Sequence, residues 1–112
     1  MTYLDRLNLF WQFAEAETLS ANQIALYMGL LYINNSCFWT EWFSVANSRI
    51  EHLTGLRGKT IYNVKNQLKQ LNLIDYREVG KNKPCKYTIL SIADFTKQLH
   101  TSYKAITRQV QS

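Results

Sequence analysis

The 112-residue chain has few of the residues from which catalytic and metal sites are built. Its two histidines, His52 and His100, stand alone, and its two cysteines, Cys37 and Cys85, lie far apart without a CxxC spacing. It has no glycine-rich phosphate loop and no nucleophile motif. We therefore expect no enzyme activity, no catalytic residue, no metal site and no cofactor. Both thiols are expected to be free, as in a reducing cytosol.

Long apolar segments are also missing. No run of about 18 uncharged apolar residues is present, which argues against a membrane-spanning helix. Residues 1–6 lack the basic start and apolar block of a secretory signal. Apolar residues nevertheless make up 46% of the chain, enough for one hydrophobic core. We therefore expect one domain over residues 1–112, in the cytoplasm and without a membrane partner.

Charge is unevenly distributed along the chain. Residues 1–54 carry two basic and five acidic side chains, a net charge of −3, whereas residues 55–112 carry eleven basic and three acidic, a net charge of +8. This division predicts that the basic half has a face for an anionic polymer and that the acidic half packs or self-associates. Solvated surface lysines are the alternative explanation for part of the asymmetry.

Residues 1–36 are predicted to form two N-terminal helices. Residues 3–17 place apolar side chains at helical spacing. Ser20 then begins a second helix over residues 21–34, with Gln23 as its capping-box partner. This second helix has almost no polar face, so it is either the central core helix or part of an oligomer interface.

An aromatic loop follows the second helix. Its rings are expected to plug the core, and a stacking platform for unpaired bases is the functional alternative. These rings belong to Phe38, Trp39 and Trp42. Nothing basic is interleaved with them in the sequence, which favours core plugging.

The next segment is extended and leads into a short helix. Phe43 begins the extended segment, and Ser44 or Asn47 is expected to cap the helix. Gly55 suits the left-handed position that ends a helix. The segment from Phe43 to Gly55 thus predicts the first helix of a helix-turn-helix.

A second short helix is predicted from Gly58 or Lys59 to Asn72. At about 100° per residue, its apolar side chains share an arc about 80° wide. They are Ile61, Val64, Leu68 and Leu71. The opposite side carries lysines, amides and a phenol, which can contact phosphates and base edges. An ordinary solvated helix surface is the alternative interpretation.

A β-hairpin is predicted next. Residues 73–79 and 85–90 alternate apolar and polar side chains, and residues 80–84 between them have turn chemistry with two lysines. The extended segment at Phe43 is a candidate for a third strand. Beyond the hairpin, Ser91 or Asp94 is expected to begin a C-terminal helix.

These elements together predict an α+β fold that is mostly α. Residues 43–90 have the layout of a winged helix-turn-helix, in which one helix enters a nucleic-acid groove and a β-hairpin forms the wing. The wing has two strands, or three if the extended segment joins it. Residues 1–36 add two helices before this motif, and residues 91–112 add one after it.

The residues expected to contact double-stranded DNA lie on the second short helix and on the hairpin. Those in the first half of the helix, where a recognition helix meets the major groove, are Tyr62, Asn63 and Asn66. Those expected to hold phosphates are Arg57, at the helix N-terminus, with Lys59, Lys65 and Lys69. Those of the hairpin, for the adjacent minor groove or backbone, are Arg77, Lys81, Lys83 and Lys86.

Several segments, taken in order, resemble phage replisome organisers. These are replication initiation proteins with an N-terminal winged helix, similar to the N-terminal domain of the primosomal protein DnaD. The segments are YLDRLNLF at residues 3–10, ALYMGLLYINN at 25–35, FSVAN at 43–47, TIYN at 60–63 and QLKQLNLIDY at 67–76. The likeness covers about residues 3–90.

The resemblance implies double-stranded DNA binding at a phage or plasmid replication origin. It also implies self-association through the N-terminal domain, recruitment of a helicase or helicase loader, and, for a phage-encoded protein, the cytoplasm of the bacterial host. A further C-terminal domain is implied, so that this chain is the N-terminal part of a longer protein. The DNA-facing candidates that it implies are Lys59, Thr60, Tyr62, Asn63 and Asn66.

Two other functions fit the same sequence. The first is transcriptional regulation by the same fold, which only the position of the bound sites, at promoters or at an origin, would separate from replication. The second is a protein-interaction module in which the N-terminal helices build an oligomer. The aromatic residues that would serve this interface are Tyr3, Phe10, Trp11 and Phe13, unless they fill one core.

Overall fold

The computed structural model describes residues 3–90. Within them the order of elements is α1 (Tyr3–Glu17), α2 (Ala21–Ser36), β1 (Phe43–Val45), α3 (Asn47–Thr54), α4 (Gly58–Gln70), β2 (Ile74–Arg77) and β3 (Cys85–Ile89). The predicted α+β class with mostly helical content is confirmed for this part of the chain. The C-terminal helix predicted from Ser91 or Asp94 lies outside the described residues.

The chain divides into two compact units, of which one is Ser20–Leu90 and the other contains α1. In α1, which confirms the predicted first helix, Phe10 and Phe13 are buried while Trp11 is 49% exposed. None of the helices within residues 3–90 is long and apolar enough to cross a membrane.

The start of α2 confirms the predicted capping box. The backbone N–H of Gln23 donates to Ser20 Oγ at 3.2 Å, and the backbone N–H of Ser20 donates to Gln23 Oε1 at 2.8 Å. Behind this cap, α2 packs against α3, α4 and β3 and buries Leu26, Leu30 and Leu31 completely. It is therefore the central core helix of its unit.

The aromatic loop after α2 does not plug the core as predicted. Asn34, which is buried, fixes the loop: its Nδ2 donates to the Thr40 carbonyl at 2.9 Å and its carbonyl accepts from the Trp39 N–H at 3.0 Å. Phe38 and Trp39 adopt left-handed backbone angles, φ 58° and 60°, which turn the chain outward. Phe38 is consequently 92% exposed, and the prediction is wrong for that ring. Trp39 and Trp42 are half-buried.

The first helix of the motif, α3, ends as predicted and begins differently. Gly55 has φ 78°, and its N–H donates to the Glu51 carbonyl at 2.8 Å, which confirms the left-handed helix end. At the other end Ala46 is the N-cap and no side chain caps the helix. The predicted caps are wrong because Ser44 belongs to β1 and Asn47 is already helical.

The second helix, α4, starts at Gly58 as predicted and packs on α2, α3 and β2. Ile61, Val64 and Leu68 are buried, and Leu71, the C-cap, is half-buried. Asn72 follows with φ 62°, so the helix ends where the sequence indicated.

The sheet has three antiparallel strands in the order β1-β3-β2. The third strand is the extended segment at Phe43, which pairs with Tyr87 of β3, while Tyr76 of β2 pairs with the same tyrosine from the other side. Residues 78–84 connect β2 to β3 and contain a turn closed by the Lys83 N–H and the Gly80 carbonyl at 3.2 Å. The last strand within residues 3–90 is thus the central one of this sheet.

Candidate nucleic-acid interface

The exposed side of α4 carries several of the residues that the sequence assigned to DNA. Lys59, Tyr62 and Asn63 are exposed, and Thr60 is half-buried. Among residues 3–90, no side-chain hydrogen bond or ion pair engages Lys59 or Asn63. Arg57 is exposed at the N-cap position, where no side chain caps the first helical turn. These groups are therefore available to a ligand.

One flank of α4 is covered by the hairpin, and this engages two more of the predicted residues. The Tyr76 hydroxyl donates to Asn66 Oδ1. The ammonium of Lys69 lies 3.3 Å from Asp75 Oδ1 and 5.1 Å from the centroid of the Tyr76 ring. Asn66 is half-buried and Lys69 exposed, so both remain near the surface with their polar groups already paired.

Lys65 does not lie on the exposed side, where a phosphate contact was expected. The residue is 5% exposed, and its ammonium lies 4.5 Å from the centroid of the Tyr76 ring and 3.8 Å from Glu78 Oε1. Its position explains the burial: four residues after Ile61, it is about 40° beyond the apolar arc, on the flank that the hairpin covers. Helical periodicity predicts which side of α4 is apolar, but it does not predict that the hairpin covers the flank that carries Lys65.

Burial favours the neutral forms of the thiol and phenol groups around Lys65. Burial raises the pKa of the Cys85 thiol and of the Tyr76 and Tyr87 hydroxyls above their ordinary values. The Cys85 thiol donates to the Arg77 carbonyl at 3.2 Å. Cys37 and Cys85 are both free thiols, as the sequence predicted.

The hairpin tip lies beside the start of α3. A cleft of about 690 Å³ lies between them, lined by residues 46–48, by residues 80–85, and by Lys65 and Glu78. Lys81 and Lys83 are both exposed at this cleft. The two tip lysines and the open first turn of α3 therefore border the same cleft.

Arg77 and Lys86 lie on the other face of the sheet. Side chains alternate between faces along a strand, and their neighbours Tyr76 and Tyr87 point towards Lys65 of α4. The guanidinium of Arg77 covers the ring of Trp42 at 4.4 Å from the centroid. The hairpin thus does not place Arg77 and Lys86 on the side where α4 packs.

The twelve predicted residues consequently form three groups. Those on α4 or bordering the cleft with open polar groups are Arg57, Lys59, Thr60, Tyr62, Asn63, Lys81 and Lys83. Those paired between α4 and the hairpin are Lys65, Asn66 and Lys69. Those on the opposite sheet face are Arg77 and Lys86.

Within residues 3–90, no group of three or more His, Cys, Asp or Glu side chains is placed to hold a metal ion. Comparison with known proteins finds no match to a family model, a curated protein or a solved structure.

Proposed function

We propose that the chain is a winged-helix domain that binds double-stranded DNA during replication initiation at a phage or plasmid origin. The observation that carries the proposal is the open polar face of α4, on which the side chains of Lys59 and Asn63 have no partner within residues 3–90. The opposite side of α4 packs on the core, and one flank of the helix packs on the hairpin. A rigid helix with an unengaged polar face is suited to a groove.

The order of elements supports a winged helix. Helix α3, the turn at Gly55 and helix α4 are followed at once by the β2–β3 hairpin, and β1 before α3 pairs with β3. Strands of one sheet therefore precede and follow the two helices along the chain. In this arrangement α4 is the recognition helix and residues 78–84 form the tip of the wing.

Each open residue has a role that follows from its chemistry. The ammonium of Lys59 neutralises a phosphate, and the amide of Asn63 can pair with an adenine edge in the major groove. Tyr62, which is 53% exposed, offers its hydroxyl to a phosphate or base edge. Lys81 and Lys83 reach the backbone beside the groove that α4 occupies.

The role in replication is supported by the ordered resemblance to replisome organisers in residues 3–76. In that role the domain would bind an origin, self-associate through its N-terminal helices and recruit a helicase or its loader. On α1, Leu4 and Trp11 are 65% and 49% exposed and are the side chains available for self-association. Selecting bound fragments from the whole source replicon would separate origin sites from promoter sites.

The direct test is duplex binding by purified protein, measured by fluorescence anisotropy over a range of salt concentrations. Lys59→Ala should weaken binding to every sequence and reduce the salt slope by about 1, whereas Asn63→Ala should alter sequence preference by about 1–3 kcal/mol. Asn22→Ala, which removes an exposed amide from α2, is the matched control. Full duplex affinity after joint replacement of Lys59, Asn63, Lys81 and Lys83 would contradict the proposal.

A protein-interaction module is the second candidate. It is favoured by the 92% exposed ring of Phe38 on a loop that six hydrogen bonds of Asn34, Asn35 and Thr40 hold in place. Absence of any duplex binding at low salt, together with a concentration-dependent mass in sedimentation, would favour this candidate over DNA binding.

A further inference from the structure

The face of the sheet opposite α4 carries a row of exposed polar side chains. Ser44 of β1 and Arg77 of β2 both pair with Lys86 of β3, so the three residues lie side by side across the sheet. All three are exposed, whereas Tyr87, the neighbour of Lys86 on the other face, is buried. We call Ser44, Arg77, Lys86 and Trp42 the outer platform.

Trp42, the residue before β1, reaches the same face through its contact with Arg77. The Cζ atom of Arg77 lies 4.4 Å from the centroid of a Trp42 ring, which is a cation–π contact. Trp42 is half-buried and Arg77 is exposed. A planar cation therefore lies on an aromatic ring at the surface, a pair on which a flat nucleobase can stack.

The charge of this face is positive and open. Among the described residues, no carboxylate pairs with Arg77 or Lys86. The nearest acidic residue along β2 is Asp75, whose carboxylate is already 3.3 Å from the ammonium of Lys69. Two uncompensated cations beside an aromatic ring complement a ligand that combines phosphates with exposed bases.

The geometry points to an unpaired strand as that ligand. Three strands spaced about 4.8 Å apart make a platform only about 10 Å across, which presents no protruding element to a groove. In a duplex the flat faces of the bases are hidden in the stack, but in a single strand they are accessible to aromatic and guanidinium groups. We propose that the outer platform binds an unpaired nucleic-acid strand, with one base stacked on Trp42 and Arg77 and a flanking phosphate at Lys86.

This site uses residues other than those of the duplex-binding face proposed for α4, and it does not depend on that proposal. If the Arg77–Trp42 contact only stabilised the fold, Lys86 would have no role in binding. The single-strand proposal requires Lys86 as well, so the affinity of a Lys86 variant distinguishes the two.

The test uses the full chain with fluorescein-labelled 15-nucleotide strands of deoxythymidine and of uridine, and a mixed-sequence 15-base-pair duplex. Combined Arg77→Gln and Lys86→Gln substitution should lower single-strand affinity at least tenfold and duplex affinity less than threefold. Combined Lys59→Ala and Asn63→Ala substitution should do the reverse. Lys86→Gln alone removes an exposed cation without a described partner. It should leave the unfolding temperature unchanged and lower single-strand affinity at least threefold.

A second readout reports on Trp42 itself. In a Trp11→Phe, Trp39→Phe background, Trp42 is the last remaining tryptophan, and the deoxythymidine or uridine strand should quench its fluorescence. Preference between these two strands assigns DNA or RNA as the ligand. Failure of the wild-type chain to bind either strand at low salt, or unchanged single-strand affinity in Lys86→Gln, would overturn the proposal, whereas loss of duplex binding alone would overturn only the α4 proposal.

Discussion

The ammonium of Lys65 lies 4.5 Å from the centroid of the Tyr76 ring and 5.8 Å and 6.0 Å from those of Tyr62 and Tyr87. A helix lysine that the sequence assigned to phosphate is thereby placed between α4 and the hairpin. Its charge acts within the fold, because cation–π contacts away from water are worth up to about 2 kcal/mol.

Replacement of Lys65 should therefore affect stability and leave the salt dependence of DNA binding unchanged. Lys65→Met keeps the length of the side chain but removes its charge, and it should lower the free energy of unfolding by about 1–2 kcal/mol. Urea denaturation measures this loss. In duplex titrations the salt slope of Lys65→Met should equal that of the wild type, whereas Lys59→Met should reduce it by about 1. An equal reduction of the salt slope in both variants would show that Lys65 contacts a phosphate.

Removing the hydroxyl should have opposite effects on the free energy of unfolding at two tyrosines of the sheet. The Tyr87 hydroxyl is buried beside the weakly polar Cys85 thiol and makes no hydrogen bond of good geometry among the described residues, while the Tyr76 hydroxyl donates to Asn66. Tyr87→Phe should raise the free energy of unfolding by about 1 kcal/mol, since it removes an unsatisfied polar group, and Tyr76→Phe should lower it by about 1 kcal/mol. Thermal unfolding of the matched pair checks the signs, and a destabilised Tyr87→Phe would mean that its hydroxyl has a partner.

Alkaline pH should destabilise the fold. Burial raises the pKa of Cys85 above its ordinary 9.0 and those of Tyr76 and Tyr87 above their ordinary 10.0, so the folded chain holds these protons more tightly than the unfolded chain. This contribution is complete below pH 9 and is lost as the pH rises through the unfolded and then the folded pKa values. Urea midpoints between pH 8 and pH 11 should fall, less steeply in Tyr87→Phe. A midpoint independent of pH in this range would contradict the assignment.

Replacing Phe38 by a residue that readily adopts a positive φ should stabilise the fold. Phe38 has φ 58°, and its ring is 92% exposed and contributes little to the core. Phe38→Asn should raise the free energy of unfolding by about 0.5–1 kcal/mol, because asparagine adopts the left-handed region at lower cost. Asn72→Ala is the converse control at φ 62° and should be destabilised. A loss of stability in Phe38→Asn would indicate that the ring has a packing role.

Most of the fold follows from local patterns in the sequence. The apolar arc of α4, the capping box at Ser20 and the glycine after α3 each depend on residues within one or two turns, and each prediction is confirmed. The loop at Phe38 differs from its prediction because an aromatic side chain is not always buried: hydrogen bonds of Asn34 fix the loop, and the ring of Phe38 is exposed.

Sequence patterns predict less of the candidate site than of the fold, because the site depends on contacts between elements. Helical projection places Asn66 directly opposite the apolar arc, yet a tyrosine ten residues later bonds its amide. Alternation along the hairpin separates Arg77 from Tyr76, but only the register shows that Lys86 and Ser44 share its row. Nothing in the spacing of Trp42 and Arg77 indicates their contact.

The position of β3 has a consequence for synthesis of the chain. Its two neighbours, β1 and β2, precede it in sequence, so neither has a strand partner within residues 3–90 until Cys85–Ile89 has been made. At about 5–20 residues per second, the ribosome needs about 2–8 s to extend the chain from Val45 to Cys85. Throughout that time β1 presents an unpaired apolar edge, and the sheet closes only when the last described strand leaves the exit tunnel.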